Sequence, residues 1–439
     1  MRILLTLLVF TLSNLPALAK NKIVRGPYLQ AASDNSMVIR WRTKQATPTF
    51  IRYKAYGDKN ELQYQDLVRT TEHEAKLIDL KPRTKYFYSI YGLGKKGKEL
   101  LADDRINSFF FTTFSPAGKQ DYKVYAWVLG DPGTNGTKKY KFSDKKSQLL
   151  VRDAFYAYHH QQQLPSPNLI LSLGDNAYPS ASDKDLQRAF FEPYQDVMTH
   201  IPIFPVFGNH DSGYDKNHTS YNARSYPQPH GVYYDAFSFP NENKAYYSFD
   251  YARVHFIVLD SYDSYWQDLK ADRSNLNKIY DGAKDSSNAM LDWLKQDLES
   301  TDADWTIVAY HHPAYATADD DPPHGRWQDW IKKHVVPILE EHKVDLVLNG
   351  HVHNYQRSYP MKNFEAKSAE KNIYSKGQGT IYTILGSSGQ SWNQAHTSDL
   401  HPVAHAKEGS VLVKATPHNL ELKFISLEAK VLDKFSVYR

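Results

Sequence analysis

The pattern of apolar and polar residues changes near residue 115. Before that point, apolar and polar residues alternate in short runs separated by turn residues, which is typical of half-buried β-strands. No helical period competes with this alternation. The pattern predicts a small antiparallel β-sandwich over residues 24–114. Its predicted strands lie at residues 36–42, 49–55, 85–91 and 107–113.

After a linker at residues 114–118, apolar runs alternate with segments of helical period. This alternation indicates an α/β architecture, which we predict over residues 120–439. The predicted helices lie at 144–163, 184–200, 287–299 and 327–342. The predicted strands lie at 122–129, 168–173, 203–207, 255–259, 306–310 and 344–348. Apolar runs at 379–385 and 411–425 are predicted to close the chain as antiparallel strands.

The first 19 residues have the features of a secretory signal. Arg2 precedes a short apolar stretch at residues 3–10, and Ala-Leu-Ala at 17–19 has the pattern of a cleavage site. We therefore expect a secreted or periplasmic protein. Because the apolar stretch is too short to span a bilayer, no membrane anchor is expected.

The composition of the chain limits the partners, metal ligands and nucleophiles that are expected. The 439 residues carry a formal net charge of +4 that is not gathered into one run, so no nucleic-acid partner is indicated. The chain contains no cysteine, which excludes disulfides, thiolate metal ligands and a cysteine nucleophile. Any bound metal must therefore be held by oxygen atoms and imidazole nitrogens.

Five of the predicted strands end in polar residues. Each end has a structural alternative, because Gly-Asp commonly forms a turn and a lone buried histidine is commonly a satisfied core residue. If the strands lie parallel in one sheet, however, their carboxyl ends meet along one edge. Carboxylate, amide, phenol and imidazole groups together suit iron, manganese or zinc, and they suffice for two ions that share a carboxylate. The five ends are GDPG at 130–133, GDNAY at 174–178, GNHD at 208–211, HHP at 311–313 and NGHVH at 349–353.

The order of the blocks GDPG, GDNAY, GNHD, VAYH and GHVH resembles that of the purple acid phosphatases, which belong to the calcineurin-like metallophosphoesterases. Tyr178, three residues after Asp175, narrows the resemblance from the whole superfamily to the purple acid phosphatases. Plant-type members also carry an N-terminal fibronectin III-like domain, and residues 80–88 resemble the tyrosine-corner region of such domains. The resemblance implies the fold class α/β, with a metallophosphoesterase β-sandwich core flanked by helices and preceded by a small all-β fibronectin III-like sandwich.

The resemblance also implies seven metal ligands, all of them oxygen or nitrogen donors. Fe(III), the first ion of the family, would be held by Asp131, Tyr178 and His353. A divalent ion (Zn, Mn or Fe) would be held by Asn209, His311 and His351. Asp175 would bridge the two ions.

Histidines outside this set are candidates for catalysis. The resemblance implies that His210 faces the substrate phosphate, where it would bind phosphate or protonate the leaving group. His312 and His324 are further candidates for the same work, and a surface-loop residue is the alternative for His324. Arg357, which matches an arginine of the family, is interpreted as a structural brace of the last metal loop.

The expected function is hydrolysis of small phosphorylated substrates by an acid phosphatase of the purple type, with metal-bound hydroxide attacking phosphorus. Two alternatives stay open. The same metal core could serve a phosphodiesterase or nucleotide phosphohydrolase, because loops at 212–243, 261–286 and 314–326 would decide the size of the leaving group. The chain could also be a non-catalytic binding protein with a relic phosphatase core, although an intact ligand set argues against this.

Overall fold

The computed structural model of this chain describes residues 21–94, 97–102, 109–134, 147–212, 224–225, 228–229, 231–241, 244–262, 286–317, 324–391 and 394–439. The predicted secretory signal at residues 1–19 lies outside the described residues and stays a prediction. Within the described part of the chain, no helix combines the length and the apolar character needed to cross a membrane.

The N-terminal region is an antiparallel β-sandwich, as predicted. Its strands are β1 (Ile23–Gln30), β2 (Met37–Ala55), β3 (Leu62–Leu77), β4 (Lys85–Gly94), β5 (Gly97–Ala102) and β6 (Phe110–Thr112). The two strands predicted at 36–42 and 49–55 are one strand, β2, with register shifts between Arg42 and Thr49. The first part of β2 pairs with β1 and its second part pairs with β4. Strand β3 pairs with both parts, so these two long strands connect the β1 side of the region to the β4 side.

The tyrosine-corner resemblance of residues 80–88 is matched by a hydrogen bond. The backbone N–H of Lys81 donates to the Tyr86 hydroxyl at 2.8 Å, which ties the turn before β4 to the strand itself. Tyr86 is buried and stacks on Phe111 with ring centroids 5.4 Å apart. The corner therefore anchors the turn to the core of the sandwich.

The C-terminal region has mixed α/β character, also as predicted. Its strands are β7 (Val124–Leu129), β8 (Leu169–Ser172), β9 (Ile203–Pro205), β10 (Arg224–Ser225), β11 (Gln228–Pro229), β12 (Tyr247–Tyr251), β13 (Val254–Val258), β14 (Trp305–Ala309), β15 (Leu346–Asn349), β16 (Tyr355–Lys362), β17 (Glu365–Ala366), β18 (Ile373–Ser375), β19 (Thr380–Leu385), β20 (Val403–His405), β21 (Gly409–Ala415), β22 (Asn419–Ser426) and β23 (Val431–Tyr438). Its helices are α1 (Ser147–Gln161), α2 (Asp183–Leu186), α3 (Glu192–Met198), α4 (Val232–Ala236), α5 (Ser286–Ser300), α6 (His324–His334) and α7 (Val336–Glu341). A π-helical turn at Gln187–Phe191 joins α2 to α3.

The strands that carry the polar ends lie in two sheets, so the single parallel sheet considered from the sequence is wrong. Strands β7, β8 and β9 are parallel neighbours in one sheet, and β13, β14 and β15 are parallel neighbours in the other. A run of apolar residues predicts burial on both faces of a strand, but it does not predict which strands pair. Strand β19 also departs from the prediction, because it runs parallel to β15 and antiparallel to β16.

The two sheets pack face to face, and alternate residues of one strand enter different cores. Val128 of β7 contributes to the core between the sheets, where Phe256 of β13 and Leu348 of β15 also lie. Trp127 points the other way, to the layer formed with α1, where it stacks on Phe155 at 4.3 Å. The outer face of the second sheet packs against α5, α6 and α7. The result is a β-sandwich flanked by helices.

The N-terminal sandwich is joined to the first of these sheets. Gln30 at the end of β1 pairs in parallel with Ile203 of β9. Two buried tyrosines add contacts, since the Tyr28 hydroxyl donates to the carbonyl of Ala236 and the Tyr88 hydroxyl to that of Thr199. The domain boundaries predicted at residues 114 and 120 stay predictions.

Candidate metal centre

The polar ends of five strands meet at one rim of the β-sandwich. Three of them follow neighbouring strands of the first sheet, and two follow neighbouring strands of the second. The rim therefore draws on both sheets, and hydrogen bonds between the loops hold it together. The candidate ligands are Asp131 after β7, Asp175 and Tyr178 after β8, Asn209 after β9, His311 after β14, and His351 and His353 after β15.

A first group of side chains surrounds the Tyr178 hydroxyl. This oxygen lies 2.9 Å from Asp131 Oδ1, 2.9 Å from Asp175 Oδ2 and 3.1 Å from His353 Nε2. The two carboxylates and the phenol are buried. The grouping matches the implied set for the first ion, with Asp175 beside it.

A second group surrounds the side-chain oxygen of Asn209. Asn209 Oδ1 lies 3.0 Å from His311 Nε2 and 3.0 Å from His351 Nδ1. His311 Nδ1 donates to the carbonyl of Leu173 at 2.8 Å, which directs Nε2 inward. His311 Nε2 also lies 3.4 Å from Asp175 Oδ2, so Asp175 borders both groups.

Backbone N–H groups fix the two carboxylates. The N–H of His351 donates to Asp131 Oδ2 at 2.8 Å, and the N–H of His210 donates to Asp175 Oδ1 at 2.7 Å. Each carboxylate therefore keeps its other oxygen toward Tyr178. Asp131 and Asp175 have φ values of 51°, and His351 has a φ of 70°. Left-handed backbone at non-glycine residues is costly and is concentrated at functional sites.

Two glycines in the motifs are required for close approach, a role that sequence reasoning missed. A Cβ at Gly208 would lie 2.2 Å from Asp175 Oδ1, and a Cβ at Gly350 would lie 2.5 Å from Asp131 Oδ2. Only the glycines of the Gly-Asp pairs were given a role from the sequence. Their spacing before Asn209 and His351 is the signal that could have identified them, because a ligand that follows a buried strand needs room for its neighbours.

A buried carboxylate outside the predicted set organises two of the loops. Asp211 accepts hydrogen bonds from the backbone N–H of Gly208 at 2.9 Å, and from the backbone N–H and side chain of Asn176 at 3.0 and 2.9 Å. It thereby ties the GNHD loop to the GDNAY loop. Burial and the charge of Asp175 raise the pKa of Asp211 to about 8.

The electrostatics of the rim couple Asp175 to its histidines. Burial alone would raise the pKa of Asp175, but the charges of His311 and His210 lower it overall. Burial alone would lower the pKa of His311, but Asp175 raises it to about 9. Burial and the two neighbouring carboxylates raise the pKa of the Tyr178 phenol well above its usual value. Without another cation, this phenol stays protonated.

The proton balance of the rim fits bound cations. Tyr178 has one proton, yet its oxygen lies at hydrogen-bond distance from both Asp131 and Asp175. Within the described residues, the ion pairs of these two buried carboxylates are formed with histidines. Buried carboxylates require a compensating charge, and metal ions supply it at such sites. Oxygen and imidazole donors of this kind suit iron, zinc or manganese.

His210 lies beside the first group rather than inside it. Its Nδ1 donates to the carbonyl of Pro179 at 2.7 Å, and its ring packs on Tyr178 with centroids 4.3 Å apart. The ring is partly exposed. This placement suits a histidine that meets the substrate.

The remaining candidates have different surroundings. His312 is fully buried, and its Nδ1 lies 2.9 Å from Ser261 Oγ. His324 begins helix α6, and its side chain lies outside the described residues. Arg357 is buried and forms a bidentate pair with Asp433 of β23 at 2.6 and 3.0 Å. It therefore joins the two sheets, and no bond to the last metal loop is found among its described contacts.

The matching family model is that of the calcineurin-like phosphoesterases, and it covers residues 126–355. Purple acid phosphatase 15 of Arabidopsis thaliana is 24% identical over an alignment of 347 residues that covers 72% of this chain and 53% of that protein. Acid phosphatase type 7 of Danio rerio is 24% identical over an alignment of 390 residues that covers 81% of this chain and 76% of that protein. Probable inactive purple acid phosphatase 27 of Arabidopsis thaliana is 26% identical over an alignment of 336 residues that covers 72% of this chain and 49% of that protein. The chain spans about half the length of the two Arabidopsis relatives.

Solved structures agree on the fold. A purple acid phosphatase from yellow lupin (Lupinus luteus) seeds superposes with a TM-score of 0.69 at 17% identity, covering 95% of this chain and 74% of that chain. The structure of PhoD superposes with a TM-score of 0.58 at 14% identity, covering 95% and 89%. Both likenesses extend over the N-terminal sandwich as well as the α/β region.

Proposed function

This chain belongs to the calcineurin-like phosphoesterase family, and from that membership we propose that it is a phosphomonoesterase of the purple acid phosphatase type with two metal ions. The observation that carries the proposal is the position of Asp175 between two groups of oxygen and nitrogen donors. Purple acid phosphatases among its relatives support the choice of phosphatase.

The proposed ligands are the seven side chains of the rim. The Asp131, Tyr178 and His353 group would hold Fe(III), and the Asn209, His311 and His351 group would hold Zn, Mn or Fe, with Asp175 shared. When bound, two such ions supply an activated water as nucleophile and neutralise charge on the phosphoryl group. The protein contributes fixed donors: backbone N–H groups orient the carboxylates, and the Leu173 carbonyl orients His311.

His210 is the proposed catalytic histidine. Because Pro179 accepts a hydrogen bond from Nδ1, Nε2 lies on the opposite edge of the ring. In the imidazolium form, which has a proton on each ring nitrogen, Nε2–H at that edge could donate to a phosphoryl oxygen or to the leaving group. Packing against Tyr178 fixes the ring plane, so the donor would stay oriented during turnover.

A phosphodiesterase on the same core is the second candidate function. Parts of all three loops expected to set leaving-group size lie outside the described residues, so a comparison of substrates is needed to decide between the two functions. We expect the reconstituted enzyme to hydrolyse a nitrophenyl phosphate monoester faster than a bis-nitrophenyl diester. A strong preference for the diester would replace the first proposal with the second.

A non-catalytic relic is the remaining alternative, and two relatives are named as probable inactive purple acid phosphatases. The intact, mutually bonded ligand set argues against a relic, because a relic would be expected to have lost a member. Metal analysis after loading with iron and zinc tests it. The proposal expects two ions per chain, whereas fewer than one would favour the relic.

We also propose that the first ion is Fe(III) and that the protein is secreted or periplasmic. Phenolate coordination by Tyr178 predicts a visible absorption band that disappears in Tyr178→Phe. A colourless wild-type protein after iron loading would overturn the iron assignment. Export predicts that the mature chain begins at Lys20, which N-terminal sequencing of protein from culture medium or periplasm would test.

A further inference from the structure

His312 occupies an unusual position beside the second group of ligands. It follows His311 directly, yet its ring stands at 86° to that of His311 with centroids 4.8 Å apart. Its centroid lies 4.5 Å from that of His351. The ring is fully buried, with Tyr262 nearly parallel to it at 6.1 Å. A buried ring in this place is poorly suited to contact a substrate that arrives from solvent.

The three histidines of this corner present converging nitrogens. His311, His312 and His351 each offer one ring nitrogen, and these nitrogens all lie within 4.8 Å of one another. Ligand nitrogens on one zinc ion lie roughly 2.0–2.1 Å from the metal, so they are separated by at most about 4 Å. A small movement of the rings would therefore bring all three within reach of one ion.

Ser261 determines how the His312 ring is held. Its Oγ accepts the backbone N–H of His312 at 3.0 Å and lies 2.9 Å from Nδ1 of the same residue. A hydroxyl oxygen has two lone pairs, so it can accept both the backbone N–H and Nδ1–H. In that arrangement the proton of the neutral ring is on Nδ1, and Nε2 carries a lone pair. Histidine ligands of metals are commonly oriented by such a bond from the other ring nitrogen.

We propose that His312 is an additional ligand of the second ion, beyond the seven, and that Ser261 positions its ring. The proposal rests on the proposed function, since it concerns the same metal centre. The second ion would then be held by three imidazoles, one amide oxygen and the shared carboxylate of Asp175. Imidazole favours zinc and other borderline ions over manganese or magnesium, so His312 would increase the preference of this site for Zn²⁺.

The test measures metal affinity, not turnover. Full-length wild type, His312→Ala and Ser261→Ala are titrated with Zn²⁺ and Mn²⁺ against a fluorescent chelator. The proposal predicts that His312→Ala weakens one of two Zn²⁺ sites by at least about tenfold, and that Mn²⁺ affinity falls less. Ser261→Ala should weaken the same site by a smaller factor, because the ligand remains but its orientation is lost.

His73→Ala is the matched control. His73 is also fully buried and lies between two hydroxyl groups, Thr43 Oγ1 at 2.8 Å and Thr49 Oγ1 at 2.9 Å, but in the N-terminal sandwich. His73→Ala should leave the affinity of both metal sites unchanged. It therefore distinguishes the loss of a ligand from the general effect of removing a buried histidine. Wild-type Zn²⁺ affinity in His312→Ala would overturn the proposal for His312 and leave the proposed function standing. A wild-type chain that binds fewer than two ions would overturn the proposed function as well.

Discussion

Two clusters of histidines and carboxylates in this molecule differ in how their charges are balanced. At the rim, the Tyr178 hydroxyl lies between two buried carboxylates that its single proton cannot both satisfy. In the second sheet, His255 lies between Asp250 at 2.7 Å and Asp297 at 2.9 Å. Each nitrogen of this imidazole has its own carboxylate, so a protonated ring satisfies both.

The difference indicates how a structural cluster is distinguished from a functional one. The His255 cluster is complete without any further ion and can contribute to stability by itself. At the rim one phenol proton faces two buried carboxylates, and added cations would balance their charge, as is expected of a metal centre. Proton balance therefore distinguishes the two clusters.

The largest expected effect is the loss of activity in Asp175→Ala. Removing a ligand shared by both proposed ions should lower turnover at least about 10³-fold, because both sites lose a donor and their charges then repel. Phosphatase assays of metal-loaded protein measure this. Asp250→Ala, which removes a carboxylate from the His255 cluster, is the matched control and should leave turnover per folded molecule unchanged. An Asp175→Ala enzyme within tenfold of wild type would contradict the assignment.

Arg357→Met should produce the next largest effect, on stability. The substitution leaves Asp433 buried without its bidentate partner, so the free energy of unfolding should fall by about 3–5 kcal/mol. Urea unfolding monitored by circular dichroism measures the change. Arg52→Met removes the exposed pair with Glu61 and should cost less than about 1 kcal/mol. Equal losses in the two variants would show that burial of the Arg357 pair does not matter.

His210→Ala should reduce turnover by roughly 10²-fold while both ions stay bound, because the residue is proposed to meet the substrate and not the metals. Turnover and metal content are measured on the same preparation. Loss of metal together with activity would show that His210 supports the ligands instead. Unchanged turnover would remove it from the mechanism.

The smallest predicted effect concerns the pH dependence of stability through His255. Burial lowers the pKa of this histidine, but hydrogen bonds to Asp250 and Asp297 outweigh burial and raise the pKa to about 9. Because the folded-state pKa exceeds the unfolded value, the stabilisation is complete below about pH 6.5 and is lost as the pH rises through about 9. We expect protonated His255 to contribute roughly 1–3 kcal/mol to the free energy of unfolding.

His255→Gln tests this pH dependence. The variant should be less stable than wild type at pH 6, and the difference should shrink by pH 10, as measured by urea unfolding at each pH. A difference that is constant across this range would show that the charge of His255 contributes nothing.

The sequence was sufficient for the strands that carry the ligands but not for their arrangement. Short apolar runs that end in Gly-Asp, Gly-Asn, His-His or Gly-His predicted β7, β8, β9, β14 and β15, because strands buried on both faces are apolar throughout. Their division between two sheets depends on long-range pairing that no local pattern specifies. Strand β3 was missed because its residues are mostly exposed and polar.

For the candidate metal centre as well, the sequence predicted the residues but not how they are arranged. All seven predicted ligands could be named from their motifs, and the structure brings them to one rim. Asp211 and Ser261 could not be assigned roles in advance, because their contacts join segments far apart in sequence, as between Ser261 and His312. The close approach of Gly208 to Asp175 is likewise a property of the folded chain.

Anomalous diffraction from crystals of the metal-loaded protein tests the central claim most directly, namely that one rim holds two ions that share Asp175. The account predicts two peaks roughly 3.5–4 Å apart, both in contact with Asp175. One peak should lie beside Asp131, Tyr178 and His353, and the other beside Asn209, His311 and His351. A single peak, or peaks that do not touch Asp175, would contradict the account.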